Sequence, residues 1–337
     1  MGLRAWAPGR VNLMGDHTDY VGGLVLPMAI GLGTEVTGDR GGDWVMLGSE
    51  QFDGVAELQL GDTTDPAFVE PHWARYVAAV MAELQPTDGF VGMIDSTLPA
   101  GGGLASSAAL EVAVATALGA DLSDRLGVAQ ACQRAELRAV GVPCGIMDQL
   151  VAVAAVGGSV LRIDCRSLEV TPVPFPEGAE VVVLHSGDQR ELAKTAYAER
   201  RAECEAVEEM VGSLRELSAT DVEAIEDPVL RRRARHVTTE NHRVDALAAA
   251  LSAGQLHYAG ELLVASHVSL RDDFEVSTPA LDELVTALRG TPGVFGARLT
   301  GAGFGGCVVA LCRPGAEIPA PVVWRGRPAP GAWLGEA

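Results

Sequence analysis

Short apolar runs broken by glycine open the chain. Residues 3–14, 24–30, 34–37 and 44–47 are rich in Val, Leu and Met and bounded by turn-forming residues, so they read as strands. Trp73, Tyr76, Val77, Val80, Met81 and Leu84 then recur at three- and four-residue spacing, the signature of one helix face. A strand is predicted over 90–98, ending at Leu98-Pro99. Small-residue and amphipathic patterns predict helices over 105–118 and 124–140 and a third from Ile146. Two further extended runs, Ser159–Asp164 and Val181–His185, flank a proline-rich stretch over 171–178 that reads as an interdomain joint. From about 190 to 290 the pattern is helical. Val294–Thr300 and Cys307–Leu311 read as strands on either side of a glycine loop, and the tail over 313–331 carries five prolines and no helix pattern. The joint divides the chain into an N-terminal domain, 1–176, and a C-terminal domain, 177–337.

With 337 residues, 48% hydrophobic and 21% charged, the chain has the composition of a globular protein with a full core rather than of a disordered one. Its formal net charge of −20 repels phosphate backbones and anionic lipid surfaces, so neither nucleic acid nor membrane is an expected partner. A local nest of amides can still bind a small anion. Lys194 is the one lysine, and no Gly-Lys-Ser/Thr triplet occurs, so a Walker-type phosphate loop is excluded. Six scattered cysteines without a Cys-x-x-Cys pair read as reduced thiols, and no leader or membrane-length apolar run interrupts the reading of a cytoplasmic protein. The triplet Arg231-Arg232-Arg233 among acidic neighbours reads as a solvated helix face.

Three segments carry chemistry. Gly101-Gly102-Gly103-Leu104-Ala105-Ser106-Ser107 leaves a strand and enters a helix, so that backbone amides and the helix dipole can converge on phosphates while a serine hydroxyl reaches a phosphate-bound magnesium. Residues 7–20 pack Arg10, Asp16, His17, Asp19 and Tyr20 between glycine turns, a density of donors and acceptors suited to a polyhydroxylated ligand or to a polar surface loop. In Cys144–Gln149, Asp148 stands near a helix start and is either an N-cap or a working base. Read alone it leans to the cap. Glu136 read alone belongs to a solvated helix face. The loop over 300–306 is either a plain hairpin turn or a close backbone contact with the phosphate region.

In this order, residues 7–28, 98–113, 144–149 and 299–307 resemble the GHMP small-molecule kinases and, within them, the galactokinases. Similarity at 163–168 and 266–275 extends the resemblance to nearly the whole chain, from about residue 5 to 312. It implies an α+β, two-lobed GHMP kinase fold: a ribosomal-protein-like α/β lobe carrying the phosphate loop, a ferredoxin-like helix-rich lobe, and an active site in the cleft between them. It implies ATP-dependent phosphorylation of α-D-galactose at O1 by a monomer. Asp148 is then the catalytic base, with Arg10 beside it. Gly101, Gly102, Gly103, Leu104, Ala105, Ser106 and Ser107 bind ATP, and Ser107 and Glu136 ligate Mg2+. Asp16, His17, Asp19, Gly145 and Tyr197 contact the sugar. The sequence departs from the family at Asp16, where a Glu is usual and the shorter side chain lengthens a sugar contact or leaves it to water. Ala105 replaces a common Ser and Ala302 a Gly, and the family's last helix gives way to the proline-rich tail. A kinase for another sugar, or a non-catalytic sugar and ATP sensor, are the competing readings. The intact Ser106-Ser107-Ala108 stretch with Arg10 and Asp148 favours an enzyme.

Overall fold

The strand and helix patterns place almost every element of the computed structural model, which describes all residues except 1, 100–101, 142–143, 189–192 and 337, and the side chains of 193 and 194. The chain forms two compact units, each built from discontinuous segments. Met1–Arg10, Ala29–Gly157 and Ala329–Ala337 make the first, and Val11–Met28 with Gly158–Pro328 makes the second. Packing therefore groups the chain differently from a linear division at 176/177, because residues 11–28 and 158–176 pack with the later half.

The strands in chain order are β1 (Leu3–Asn12), β2 (Leu24–Val25), β3 (Pro27–Arg40), β4 (Trp44–Ser49), β5 (Val55–Gln59), β6 (Phe90–Ser96), β7 (Ser159–Asp164), β8 (Val170–Pro174), β9 (Glu180–His185), β10 (Val294–Thr300), β11 (Cys307–Cys312), β12 (Val322–Gly326) and β13 (Trp333–Glu336). The helices are α1 (Ala74–Leu84), α2 (Ser106–Ala117), α3 (Arg125–Val140), α4 (Met147–Ala154), α5 (Ala193–Val211), α6 (Ala219–Glu223), α7 (Pro228–Ser252), α8 (Leu256–Asp272) and α9 (Pro279–Arg289).

In the first unit a sheet of order β13-β1-β3-β6-β4-β5 accompanies α1 to α4. The β4–β6 pair is parallel, with Val45 opposite Phe90, while β3–β6 and β4–β5 are antiparallel. Helix α2 is made of Ala, Val and Leu almost all round and is buried accordingly, packed by α1, α3 and α4. Helix α3 starts at Asp124, whose carboxylate accepts the Gly127 N–H at 3.0 Å, and stops at Gly141 in the left-handed region.

The second unit holds a sheet of order β10-β11-β9-β12 and a smaller one, β2-β7-β8. Alternation along β9 to β11 sends Val182, Leu184, Ala297, Leu299, Val308 and Ala310 into one core with Val237 of α7 and Leu281, Val285 and Leu288 of α9. Val181, Val183 and Val309, on the opposite face, are equally buried. These strands are thus buried on both faces. Helix α8 lies backbone to backbone on β10: a Cβ at Gly260 would stand 2.0 Å from the Phe295 carbonyl oxygen.

Four expectations are corrected. The 171–178 joint is largely strand β8, an antiparallel partner of β7, where Pro172 and Pro174 are tolerated because β8 is an edge. The tail is not irregular: β12 pairs with β9, and β13 pairs with β1, where Trp333 stacks on Trp6. Strand β5 was not anticipated. Arg233 does not lie on a solvated face; it is 2% exposed and bonds Glu203 and Glu275, since α7 is covered on that side.

Candidate active site

Gly9 brings the end of β1 against the glycine-rich segment of the first unit. A Cβ there would lie 2.5 Å from the Leu104 carbonyl oxygen and 2.5 Å from a Leu98 methyl, so only glycine permits the approach. The next residue uses it: the Arg10 N–H donates to the Leu104 carbonyl at 3.0 Å. Its guanidinium then makes three bonds, Nη1 to the Gly103 carbonyl at 2.7 Å, Nε to Asp148 Oδ1 at 2.7 Å and Nη2 to Asp148 Oδ2 at 2.5 Å. This is the planar fork-to-carboxylate match that arginine alone provides. The two side chains are 11% and 26% exposed, accessible enough to meet a ligand.

Asp148 sits in the first turn of α4, whose N-cap is Ile146 without a side-chain cap bond. The cap reading that its position suggests in isolation is therefore wrong, because the carboxylate turns to Arg10 instead.

The loop that Arg10 holds enters α2 through Ala105 in the left-handed region (φ 60°), with no side-chain acceptor at the cap. A helix start of this kind can take an external anion on its first-turn amides. Gly103 also has positive φ, 73°, and the Gly102 N–H turns back to the Pro99 carbonyl. Gly101 lies outside the described residues. Ser107 Oγ, on the second residue of α2, donates to Glu136 Oε1 at 2.7 Å, so α2 and α3 bring together two residues 29 positions apart. Glu136 is half-buried, not on a solvated face. Its other oxygen accepts Gln149 Nε2 at 2.6 Å and the Cys144 thiol at 3.2 Å. Gln149 Nε2 also donates to Glu111 at 3.2 Å. Burial, with the Glu136 charge second, pushes the Glu111 carboxyl well above its usual range. Beside Ser106 and Ser107 opens a cavity of about 570 Å³, lined by Trp73, Tyr76, Leu98 and Leu110 among others.

The polar segment at 15–20 belongs to the second unit and is built around a buried arginine. Arg298 is wholly buried; it bonds Asp16 Oδ2 through Nη2, the Leu13 carbonyl at 3.0 Å and, more distantly, Glu240. The other Asp16 oxygen accepts the Gly301 N–H at 2.9 Å. Burial raises the Asp16 carboxyl above its usual range, and the Arg298 guanidinium offsets only part of that rise. Burial acts upward on Glu240 too, but Arg243 and Arg298 outweigh it and hold the group at about 2. His17, with φ 66°, bonds the Ala302 carbonyl through Nε2 at 3.1 Å, which makes Nε2 the protonated nitrogen and lets Tyr20 donate to Nδ1 at 3.1 Å. Burial, reinforced by the neighbouring His236, lowers its pKa to about 3. Its ring packs against Phe274 and Tyr197. The 300–306 loop is no plain hairpin turn. Gly303 is pressed so close to the Val276 carbonyl that a Cβ would stand 2.4 Å from it, and Gly301 and Ala302 hold Asp16 and His17.

Of the expected site residues, Arg10, Gly102–Ser107, Glu136, Gly145 and Asp148 thus lie in the first unit, and Asp16, His17, Asp19 and Tyr197 in the second. Asp19, Tyr197 and Gly145 are half-buried. Glu111, Gln149, Glu240 and Arg298 were not singled out from the sequence. Glu111 and Arg298 did carry a signal, since each is a charge inside an otherwise apolar run.

Comparison with known proteins gives the family. Residues 3–40 match the galactokinase galactose-binding signature, 73–158 the GHMP kinases N terminal domain and 247–320 the GHMP kinases C terminal domain. The galactokinases of Bos taurus and Homo sapiens are 46% and 45% identical over 326 residues, covering 92% of this chain and 83% of theirs. Lactococcus lactis galactokinase complexed with galactose superposes with a TM-score of 0.84 at 36% identity, over 93% of this chain and 86% of that one. Methanococcus jannaschii mevalonate kinase, at 20% identity and a TM-score of 0.71, shares the fold.

Proposed function

We propose that this chain, which belongs to the galactokinase family of the GHMP kinases, transfers the terminal phosphoryl group of ATP to O1 of α-D-galactose, giving galactose 1-phosphate and ADP. The observation that carries the chemistry is the guanidinium of Arg10, shared between the Asp148 carboxylate and the Gly103 carbonyl of the phosphate loop. One side chain thereby fixes the distance between the base and the loop.

In this reading Asp148 takes the proton of the C1 hydroxyl as that oxygen attacks the phosphorus in line. The bond to the bridging oxygen of ADP breaks, and no covalent enzyme intermediate is formed. Phosphoryl transfer passes through a loose transition state, where positioning and charge stabilisation outweigh proton abstraction. Arg10 offsets charge on the attacking oxygen. The amides of Gly102 to Ser107 cradle the phosphates, and the cavity beside Ser106 takes the rest of the nucleotide. The galactose contacts fall to Asp16, His17, Asp19, Gly145 and Tyr197. Because Asp16 and His17 already bond Arg298, Gly301, Tyr20 and Ala302, their contribution is a fixed polar wall.

Ser107 and Glu136 fit a magnesium ion: two hard oxygens, hydrogen-bonded to each other, beside an anion-binding helix start. The described residues contain no cluster of three or more His, Cys, Asp or Glu able to hold a metal by itself. Magnesium would instead be held by these two oxygens together with phosphates and water. Bound there, it would neutralise phosphate charge. A cytoplasmic monomer completes the proposal; among the described residues no helix is long and apolar enough to cross a membrane.

The test is a panel of hexoses with ATP and magnesium, read by ADP release and by the position of the phosphate in the product. Galactose should give the highest kcat/KM and a 1-phosphate. A higher value for another sugar, or binding of both ligands without turnover, would contradict the proposal.

A further inference from the structure

The buried contacts behind Glu136 are not explained by packing. Glu111 is wholly buried within a helix of Ala and Val, a place that a Leu or Met would fill without desolvating a carboxyl. Its Oε2 accepts from Gln149, while its Oε1 and the Gln149 Oε1 are buried with no partner among the described residues. A natural core rarely keeps two such atoms without a reason. The orientation of the Gln149 amide is fixed by its surroundings. Nε2 has two hydrogens and faces two carboxyl groups, Glu136 at 2.6 Å and Glu111 at 3.2 Å, whereas the flipped amide would set its oxygen against the nearer one, Glu136.

We infer that Gln149 is the positioning residue of Glu136, and that Glu111 fixes Gln149 in turn. The chain Glu111–Gln149–Glu136–Ser107 then reaches from the core of the first unit to the hydroxyl at the start of the phosphate-binding helix. Gln149 occupies one oxygen of Glu136, so the carboxylate cannot rotate, and its other oxygen stays with Ser107, where the metal–nucleotide complex is proposed to bind. Gln149 follows Asp148 directly on α4, so one helix turn sets both the base and the support of the metal ligand. This inference rests on the proposed role of Ser107 and Glu136.

The experiment measures binding of Mn2+–ATP without sugar, from the free Mn2+ signal in electron paramagnetic resonance, and binding of galactose by calorimetry. Gln149→Met, which fills the space without the donors, should weaken Mn2+–ATP by about 10- to 100-fold, the usual effect of losing a partner of a metal ligand. Its galactose affinity should stay within about 3-fold, since a positioning loss is confined to the ligand it supports. Glu111→Gln, which keeps an acceptor for Gln149, should bind Mn2+–ATP much as the parent does, and Glu111→Leu should resemble Gln149→Met. If Gln149→Met does not fold, Gln149→Leu, apolar and likewise without the donors, gives the same reading. Unchanged Mn2+–ATP binding in the folded Gln149 variants, or an equal loss of both affinities, overturns the inference alone. If the parent protein itself does not bind Mn2+–ATP, the metal role of Ser107 and Glu136 falls, and this inference with it.

Discussion

Arg10 grips Asp148 with two parallel hydrogen bonds, at 2.7 and 2.5 Å, and spends its remaining nitrogen on the Gly103 carbonyl. Lysine can neutralise Asp148 but cannot make both attachments, because its ammonium is a point donor. Arg10→Lys is expected to lower kcat by about 100-fold, the scale of losing one preorganised donor to a developing negative charge. The fold should persist, since the pair is partly exposed. Steady-state kinetics with galactose and ATP, alongside a thermal melt, separate the two effects.

Asp16 and Arg298 form a buried pair in which Arg298 has no access to solvent. Asp16→Asn keeps an acceptor for Gly301 but removes the charge opposite Arg298. Breaking such a pair from one side costs about 3 kcal/mol or more. Urea denaturation should show that loss. A variant as stable as the parent would mean that Glu240, the second carboxylate near Arg298, suffices alone.

His17 and His236 are buried as neutral rings, with burial lowering their pKa values from 6.5 to about 3 and about 4. Between pH 6.5 and 4 the unfolded chain binds protons at these positions that the folded chain refuses. The histidines' contribution is therefore complete above pH 6.5 and is lost as pH falls. Each contributes a slope of up to about 1.4 kcal/mol per pH unit. His236→Gln should flatten the fall of melting temperature between pH 6.5 and 4.5, and identical slopes would show that His236 charges in the fold.

The strand at Trp333–Glu336 covers the edge of β1, with Trp333 stacked on Trp6 and the Arg4 guanidinium 5.5 Å from the Trp333 ring centre. Truncation before Trp333 should lower the melting temperature and promote association through the uncovered edge. Differential scanning fluorimetry and light scattering at increasing concentration check both. An unchanged, monodisperse protein would show that the strand is dispensable.

These cases also mark where sequence reasoning held. The helix after the glycine run, the face of α1 and the paired strands β10 and β11 were legible, because local periodicity and glycine report directly on backbone geometry. Strand β8 and the tail strands were not, because proline argues against a strand unless its position at an edge is known, and edges are set by topology. Arg10, Asp148, Ser107 and Glu136 were named from motif resemblance. Their bonds to one another span up to 138 positions, which no local pattern encodes. The same holds for Arg298 and Asp16, and for Gln149 between two glutamates. Arg298 and Gln149 were visible only as a charge or amide in an apolar stretch, and Asp16 only within its polar segment, each without its partner. For Asp148 the helix start misled, since the nearby arginine competes for the carboxylate more strongly than the helix amides do.

The central claim is that Asp148 accepts the sugar proton while Arg10 holds it against the phosphate loop. A single-turnover measurement with Asp148→Asn, which preserves shape and removes the base, tests it most directly. With excess enzyme, labelled ATP and galactose, the parent should form galactose 1-phosphate in one rapid phase. The variant should be slower by about 100- to 10,000-fold, with galactose binding by calorimetry retained. A variant rate within about 10-fold of the parent, well short of that range, would contradict the account.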